Sequence, residues 1–168
     1  MGGAPFLIAY GATFFITAIL SFFVSRPTAA LIAMFQGGVA LPAAFWLERK
    51  MGSKRMAADN PLRSLSVQLA MSQAVGLVVF ILVYSLNPGG IPLALASLGG
   101  VHFLPYAWLH RTRIYIYFAI AVSMGAFALQ VWLGSRAFSF ILLYVAVVYW
   151  VTAPLVYRHA ARLIKASA

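Results

Sequence analysis

The sequence predicts an all-α integral membrane protein, a bundle of six transmembrane helices arranged as three hairpins. Three observations carry that expectation. Of the 168 residues, 64% are apolar and only 8% charged, against roughly 25% charged in an ordinary soluble domain, so there is too little polar surface to cover a water-soluble core. The apolar residues fall in six runs, each close to the roughly 20 residues that a helix needs to cross the hydrocarbon layer. The basic residues fall between those runs and mostly on one side.

The first run is 5–24. It is preceded by no Lys or Arg, is too long for the apolar stretch of a signal peptide and is followed by no small-residue cleavage pattern, so it reads as a retained helix. The Ser25-Arg26-Pro27 turn leads to the second run, 28–47, and the segment 48–64 is the one substantial loop. The third run, 65–86, meets Asn87-Pro88-Gly89-Gly90, where proline fixes φ and glycine is free to take positive φ. The fourth run, 91–109, is less apolar and rich in Gly and Pro; the fifth is 114–133 and the sixth 138–157, with brief links at 110–113 and 134–137. Short links make successive helices antiparallel neighbours and leave no room for a separate soluble domain, so residues 1–168 read as a single transmembrane domain.

Charge orients the bundle. Twelve Lys and Arg stand against Glu48 and Asp59, for a net charge of +10. Their distribution points to topology and not to nucleic-acid binding. Arg49, Lys50, Lys54, Arg55 and Arg63 follow the second run, Arg111 and Arg113 the fourth, and Arg158, Arg162 and Lys165 the sixth; the opposite side holds Arg26 and Arg136 alone. Cytoplasmic loops carry the excess of Lys and Arg, which places both termini in the cytoplasm of a cell inner (plasma) membrane. The five basic residues from Arg49 to Arg63 are then expected to meet anionic lipid headgroups. Trp46 and Trp108 mark the cytoplasmic interface and Trp132 the outer one.

A repeat runs through the first two hairpins. Gly37-Gly38-Val39 and Trp46-Leu47-Glu48-Arg49 recur 62 residues later as Gly99-Gly100-Val101 and Trp108-Leu109-His110-Arg111, with Pro42 and Pro105 one place out of register. Two parallel copies of one hairpin, the kind of internal repeat found in many transporters, would produce that pattern. The glycines and prolines are the expected helix breakers, above all in the fourth run.

His102, Tyr106 and His110 are spaced by four and share a helix face. Pro105 has no N–H for the carbonyl of Val101, and Gly99 and Gly100 admit a neighbouring backbone. Irregular polar backbone at membrane depth belongs beside a cavity or buried in protein, and an ionisable residue there is a candidate site. His102 and Tyr106, with Gln36 or Gln73 as partners from other helices, are therefore the candidate polar site; the bland alternative is a neutral histidine hydrogen-bonded to a neighbouring helix. Thr13, Thr17 and Ser21 form a second stripe, expected as hydrogen-bond glue with the lining of a polar path as the alternative, and Ala121 and Gly125 a small-residue packing seam.

The stretch His102-Phe-Leu-Pro-Tyr-Ala-Trp-Leu109, followed by Thr112-Arg113-Ile114-Tyr115, resembles an uncharacterised family of small bacterial polytopic membrane proteins. The resemblance implies a helical membrane protein and carries over no activity, cofactor or catalytic residue.

The absences narrow the chemistry. No Asp or Glu lies in any apolar run, which disfavours carboxylate proton relays and cation sites and leaves a Ser-His-Asp triad without its acid. There are no cysteines, so thiolate metal sites and cysteine nucleophiles are excluded. Three poorly spaced histidines make a weak zinc set, and no phosphate-binding glycine loop is present. No metal, cofactor or catalytic residue is expected. The leading expectation is a small transporter-like or channel-like protein with a polar path beside a broken fourth helix, in a homodimer or larger membrane complex. The alternatives are a non-catalytic membrane subunit, scaffold or assembly factor, and an intramembrane enzyme using His102.

Overall fold

Proline and glycine punctuate the chain where helices start and where it reverses. In the computed structural model, which describes residues 3–51 and 61–166, the described residues are helical almost throughout and contain no strand. Helix α1 (Ala4–Leu20) begins after Gly3, at φ 84°, with Pro5 in its first turn, where a missing N–H costs nothing. It stops short of the expected Val24. Phe22 and Phe23 donate three residues back, to Ile19 and Leu20, and this tightening prepares the reversal at Ser25. The Ser25 hydroxyl then accepts from Thr28 N at 3.4 Å, capping α2 (Arg26–Phe35).

Helix α3 (Gly37–Lys50) continues α2 through Gln36, whose φ of −56° and ψ of −27° nearly preserve the helix. Pro42 sits inside α3 without ending it. Helix α4 spans Pro61–Leu86. The Asn87 side chain accepts from Gly89 N at 2.9 Å and holds the turn into α5 (Ile91–His102). Phe103 interrupts the fourth run, and α6 (Leu104–Leu109) follows. Helix α7 (Ile114–Leu133) ends at Gly134, whose φ of 54° reverses the chain into α8 (Ala137–Ala166).

Three stretches, 26–50, 88–109 and 114–163, are long and apolar enough to cross a membrane, and 4–20 and 71–86 are shorter apolar helices. The stretch 114–163 is folded on itself at Gly134, because the Tyr144 hydroxyl donates to Ala121 O across the α7–α8 pair at 2.8 Å. Among the described residues, large apolar side chains such as Phe23, Val75, Leu86, Val131 and Trp132 stand exposed on the outer faces. In water, apolar surface on this scale is rare; it is consistent with insertion in a bilayer.

Helices α1, α7 and α8 hold the best-buried core, including Leu7, Val122, Ile141, Leu142, Val145 and Val156. Helix α1 runs antiparallel to α8, with Trp150 Nε1 donating to Ile8 O at 3.3 Å near one end and Ser21 to Ser139 at 2.7 Å near the other. Gly11 is needed at that contact, because a Cβ there would lie 2.6 Å from the Trp150 indole. Helix α5 lies along α7, where Gly100 rests against Ala119 and Ser123. Helix α3 leans on α1 through Phe6 and Phe45, 5.3 Å apart, and α4 packs chiefly on α5.

The two segments expected to be copies of one hairpin pack differently. The helix interruption precedes the glycine pair Gly37-Gly38, at Gln36, and follows the pair Gly99-Gly100, at Phe103. Gly38 faces open space, whereas its counterpart Gly100 is filled by α7.

Candidate functional site

Successive helices in these contacts alternate in direction, so the ends of α3, α6 and α8 gather at one end of the bundle. That end holds Arg49, Lys50, Arg111, Arg113, Arg158 and Arg162. Arg26, whose side chain lies beside Gly89 at the α4–α5 turn, and Arg136, in the α7–α8 turn, lie at the other. The Lys50 ammonium sits 4.3 Å above the centre of the Trp46 ring, a cation–π contact that anchors both groups at one level. Lys54 and Arg55, expected at lipid headgroups, lie outside the described residues, as does the side chain of Arg63.

His102 closes α5 at the interruption. The break follows from Pro105, whose ring removes one helical donor; Tyr106 N accordingly donates to Phe103 O, three residues back, at 3.1 Å. The His102 ring is half-buried, and its Nδ1 lies 3.2 Å from Ser72 Oγ on α4. Ser72 Oγ also reaches Leu69 O at 2.7 Å. If the hydroxyl proton serves Leu69, Nδ1 must be the donor to Ser72, which leaves Nε2 able to accept. Ser72 is exposed on α4. On the same face, one and two turns toward the basic end, stand Gln68 and Ser64, hydrogen-bonded at 3.4 Å.

From His102 an aromatic column descends toward the basic end. The His102 and Tyr106 rings are 5.4 Å apart, Tyr106 and His110 5.9 Å and near parallel, and Tyr115 lies 5.5 Å from His110. Phe103 packs into Phe118 at 4.8 Å and Tyr149 at 5.9 Å and also meets Tyr106 and Tyr115 of the column, at 5.6 and 5.8 Å, so the column leans on the apolar core. His110, just beyond α6, has its pKa lowered to about 4, first by burial and then by nearby positive charge that includes His159. His159 Nε2 is itself buried without a hydrogen-bond partner among the described residues.

Of the expected glutamine partners, Gln36 meets another helix. Gln36, only 8% exposed, pairs with Thr17 on α1, whose hydroxyl reaches Gln36 Oε1 at 3.3 Å. Gln73 is half-buried, next in sequence to the residue that meets His102. The structure brings His102 and Tyr106 together and adds Ser72, which sequence reasoning missed. The available signal was the i, i+4 row of Ser64, Gln68 and Ser72 on one face of α4. No group of three or more metal-ligating side chains occurs among the described residues.

The chain belongs to a family of unknown function, DUF7010, whose model matches residues 1–159. No curated protein and no solved structure matches it.

Proposed function

We propose that this chain crosses the inner membrane six times, with the basic end and both termini in the cytoplasm, and provides a polar path for a small solute or ion along the α4–α5 seam. It is a small transporter-like or channel-like protein. Three long apolar stretches become six crossings when 114–163 counts as the hairpin it forms and the shorter α1 and α4 are included. Helix α8, 30 residues long and so about 45 Å, exceeds a hydrocarbon layer of about 30 Å and carries its last basic turns beyond it. The recurring Gly-Gly-Val and Trp-Leu elements support a duplicated hairpin whose copies have diverged in packing.

The observation that carries the reading is the Ser72–His102 pair. It sits where the fourth run breaks, at a half-open seam, and leads through Gln68 and Ser64 toward the basic end. Hydroxyl, amide and imidazole groups in this row can pass hydrogen bonds to a permeating polar group, and no carboxylate traps a cation there. The absence of native cysteine makes the test direct. Single cysteines at Ser64, Gln68 and Ser72 are expected to react with a membrane-impermeant thiol reagent added from the cytoplasmic side, while Val78→Cys and Ile81→Cys, exposed on another face of α4, stay unlabelled. Protection of all three seam positions would refute the path.

A second reading, a non-catalytic membrane subunit or scaffold, is favoured by the peripheral place of α4. Its outward residues Met71, Val75, Val78 and Leu82 are exposed and offer a face to another helix. Crosslinking through those positions into a larger complex, with the seam unlabelled, would favour it.

A further inference from the structure

The α6–α7 turn carries the one non-glycine residue at positive φ among the described residues, Arg111 at 48°. Its hydrogen bonds define the position. Arg111 N donates to Trp108 O at 3.2 Å, and Thr112 N to Ala107 O at 2.9 Å. This is the Schellman arrangement at a helix end, in which the left-handed residue is ordinarily glycine because a Cβ is penalised there. The other described positive φ positions, Gly3 and Gly134, are glycines. At residue 111 the backbone asks for glycine and the sequence supplies a guanidinium.

Among the described residues, no ion pair explains that choice. The chain has two carboxylate side chains: Glu48 lies on α3, which packs chiefly on α1, and Asp59 lies outside the described residues. Thr112 between the two arginines is buried, and its hydroxyl accepts from Ile114 N at 3.3 Å, which fixes the turn and leaves Arg111 and Arg113 exposed on either side of it. One turn earlier, Trp108 is 68% exposed, as befits an indole at the boundary between hydrocarbon and headgroups. The N-terminus of the 20-residue α7 opens at the same turn, and its partial positive charge favours an anion.

We propose that Arg111, with Arg113, binds the phosphate of an anionic phospholipid of the cytoplasmic leaflet at the α6–α7 turn. The planar guanidinium fork matches phosphate oxygens two at a time, and Trp108 sets the depth at which the headgroup is met. The assignment rests on the proposed orientation only for the leaflet, and not on the polar path.

The experiment measures the thermal midpoint of the purified full chain in neutral detergent, with phosphatidylglycerol, phosphatidylcholine or inorganic phosphate added. Phosphatidylglycerol is expected to raise the midpoint and the other two are not. Arg111→Gly is expected to raise the midpoint without lipid by about 2–4 °C, because the left-handed position no longer carries a Cβ, and to lose at least half of the phosphatidylglycerol shift. Arg111→Lys keeps the charge without the fork and is expected to give an intermediate shift. The proposal is overturned if Arg111→Gly keeps the whole shift, if the wild type shows none, or if inorganic phosphate reproduces it. It is also overturned if Arg111→Gly is less stable without lipid, since the guanidinium would then be bound within the protein. Micelles have no sidedness, so an error in orientation leaves this result untouched and is read separately from reporter fusions.

Discussion

Adjacent glycines at the end of α5 give a controlled test of whether close helix approach builds the His102 seam. At Gly100, an added Cβ would lie 2.9 Å from the carbonyl oxygen of Ala119 and would collide with Ser123 Oγ; at Gly99, the nearest atom is the Tyr149 hydroxyl at 4.0 Å. The serine can rotate away, but the Ala119 oxygen belongs to the backbone of α7. Contacts of 3.4–4 Å are ordinary, so α5 and α7 must separate by roughly half an ångström. Overpacking of this kind costs about 1–3 kcal/mol. Replacing a helix-interior glycine with alanine returns about 0.5–1 kcal/mol through backbone entropy, and at Gly99 that gain is unopposed. Gly99→Ala is therefore expected to be neutral or slightly stabilising, and Gly100→Ala to be less stable than it by about 1–3 kcal/mol. Thermal or denaturant unfolding in one detergent reads the difference. Gly100 and His102 lie about 200° apart on the helix, so pushing α5 off α7 would shift His102 against Ser72 on the opposite side, and Gly100→Ala should alter labelling of Ser72→Cys while Gly99→Ala should not. Equal stability of the two variants would refute the close approach of α5 to α7.

Three further expectations follow from other parts of the fold. Thr17→Val leaves the buried Gln36 oxygen without its donor, so a Thr17→Val/Gln36→Leu cycle should show a coupling of about 0.5–1 kcal/mol; additive losses would mean that the pair is not formed. Reporter fusions after Ala168 and within the turn at Gly89 should report cytoplasmic and outer locations respectively, and a reporter after Ala168 that works only outside the cell would sink the orientation. Burial holds His110 near 4, below its ordinary 6.5. The unfolded chain therefore takes up a proton that the folded chain refuses, and stability present above about pH 6.5 is lost as pH falls toward 4. His110→Phe should flatten that decline, and an unchanged profile in the variant would remove His110 as its source.

Much of the architecture is legible because a bilayer makes strong demands on composition. Apolar runs, the turn residues at Ser25 and at Asn87 to Gly90, and the placement of Arg all follow from one-dimensional rules. Proline gave a coarser signal. Pro105 has its irregularity at Phe103, whereas Pro42 lies within α3 and the irregularity comes earlier, at Gln36. There the bonding turns partly three-residue, with Val39 N donating to Gln36 O at 3.0 Å. A proline disturbs the turn before it, and where the bend is absorbed depends on the room available, as at Gly38, which faces none of its neighbours closely.

The partner of His102 was not legible for a different reason. Successive residues on a helix point about 100° apart, so choosing between Ser72 and Gln73 requires the rotation of α4 about its axis. That rotation is set by contacts such as Val83 against Gly90, far along the chain from His102. The same holds for Gln36, whose membrane depth was readable but whose neighbour Thr17 depends on how α1 lies against the α2–α3 rod.

These placements divide the polar residues at membrane depth into two groups. Gln36 with Thr17, Ser21 with Ser139 and Tyr144 with Ala121 are satisfied between helices of the core, and each bond spans elements that a folded bundle must hold together anyway. Ser72 and His102 bond each other at the edge, where α4 packs chiefly on α5. A bond that only joined α4 to the bundle would serve equally well turned inward. At a half-open seam, in line with Gln68 and Ser64, it keeps polar groups where lipid gives them no partner. Structural glue explains the first group completely, and the second is where the search for a permeating or binding partner belongs.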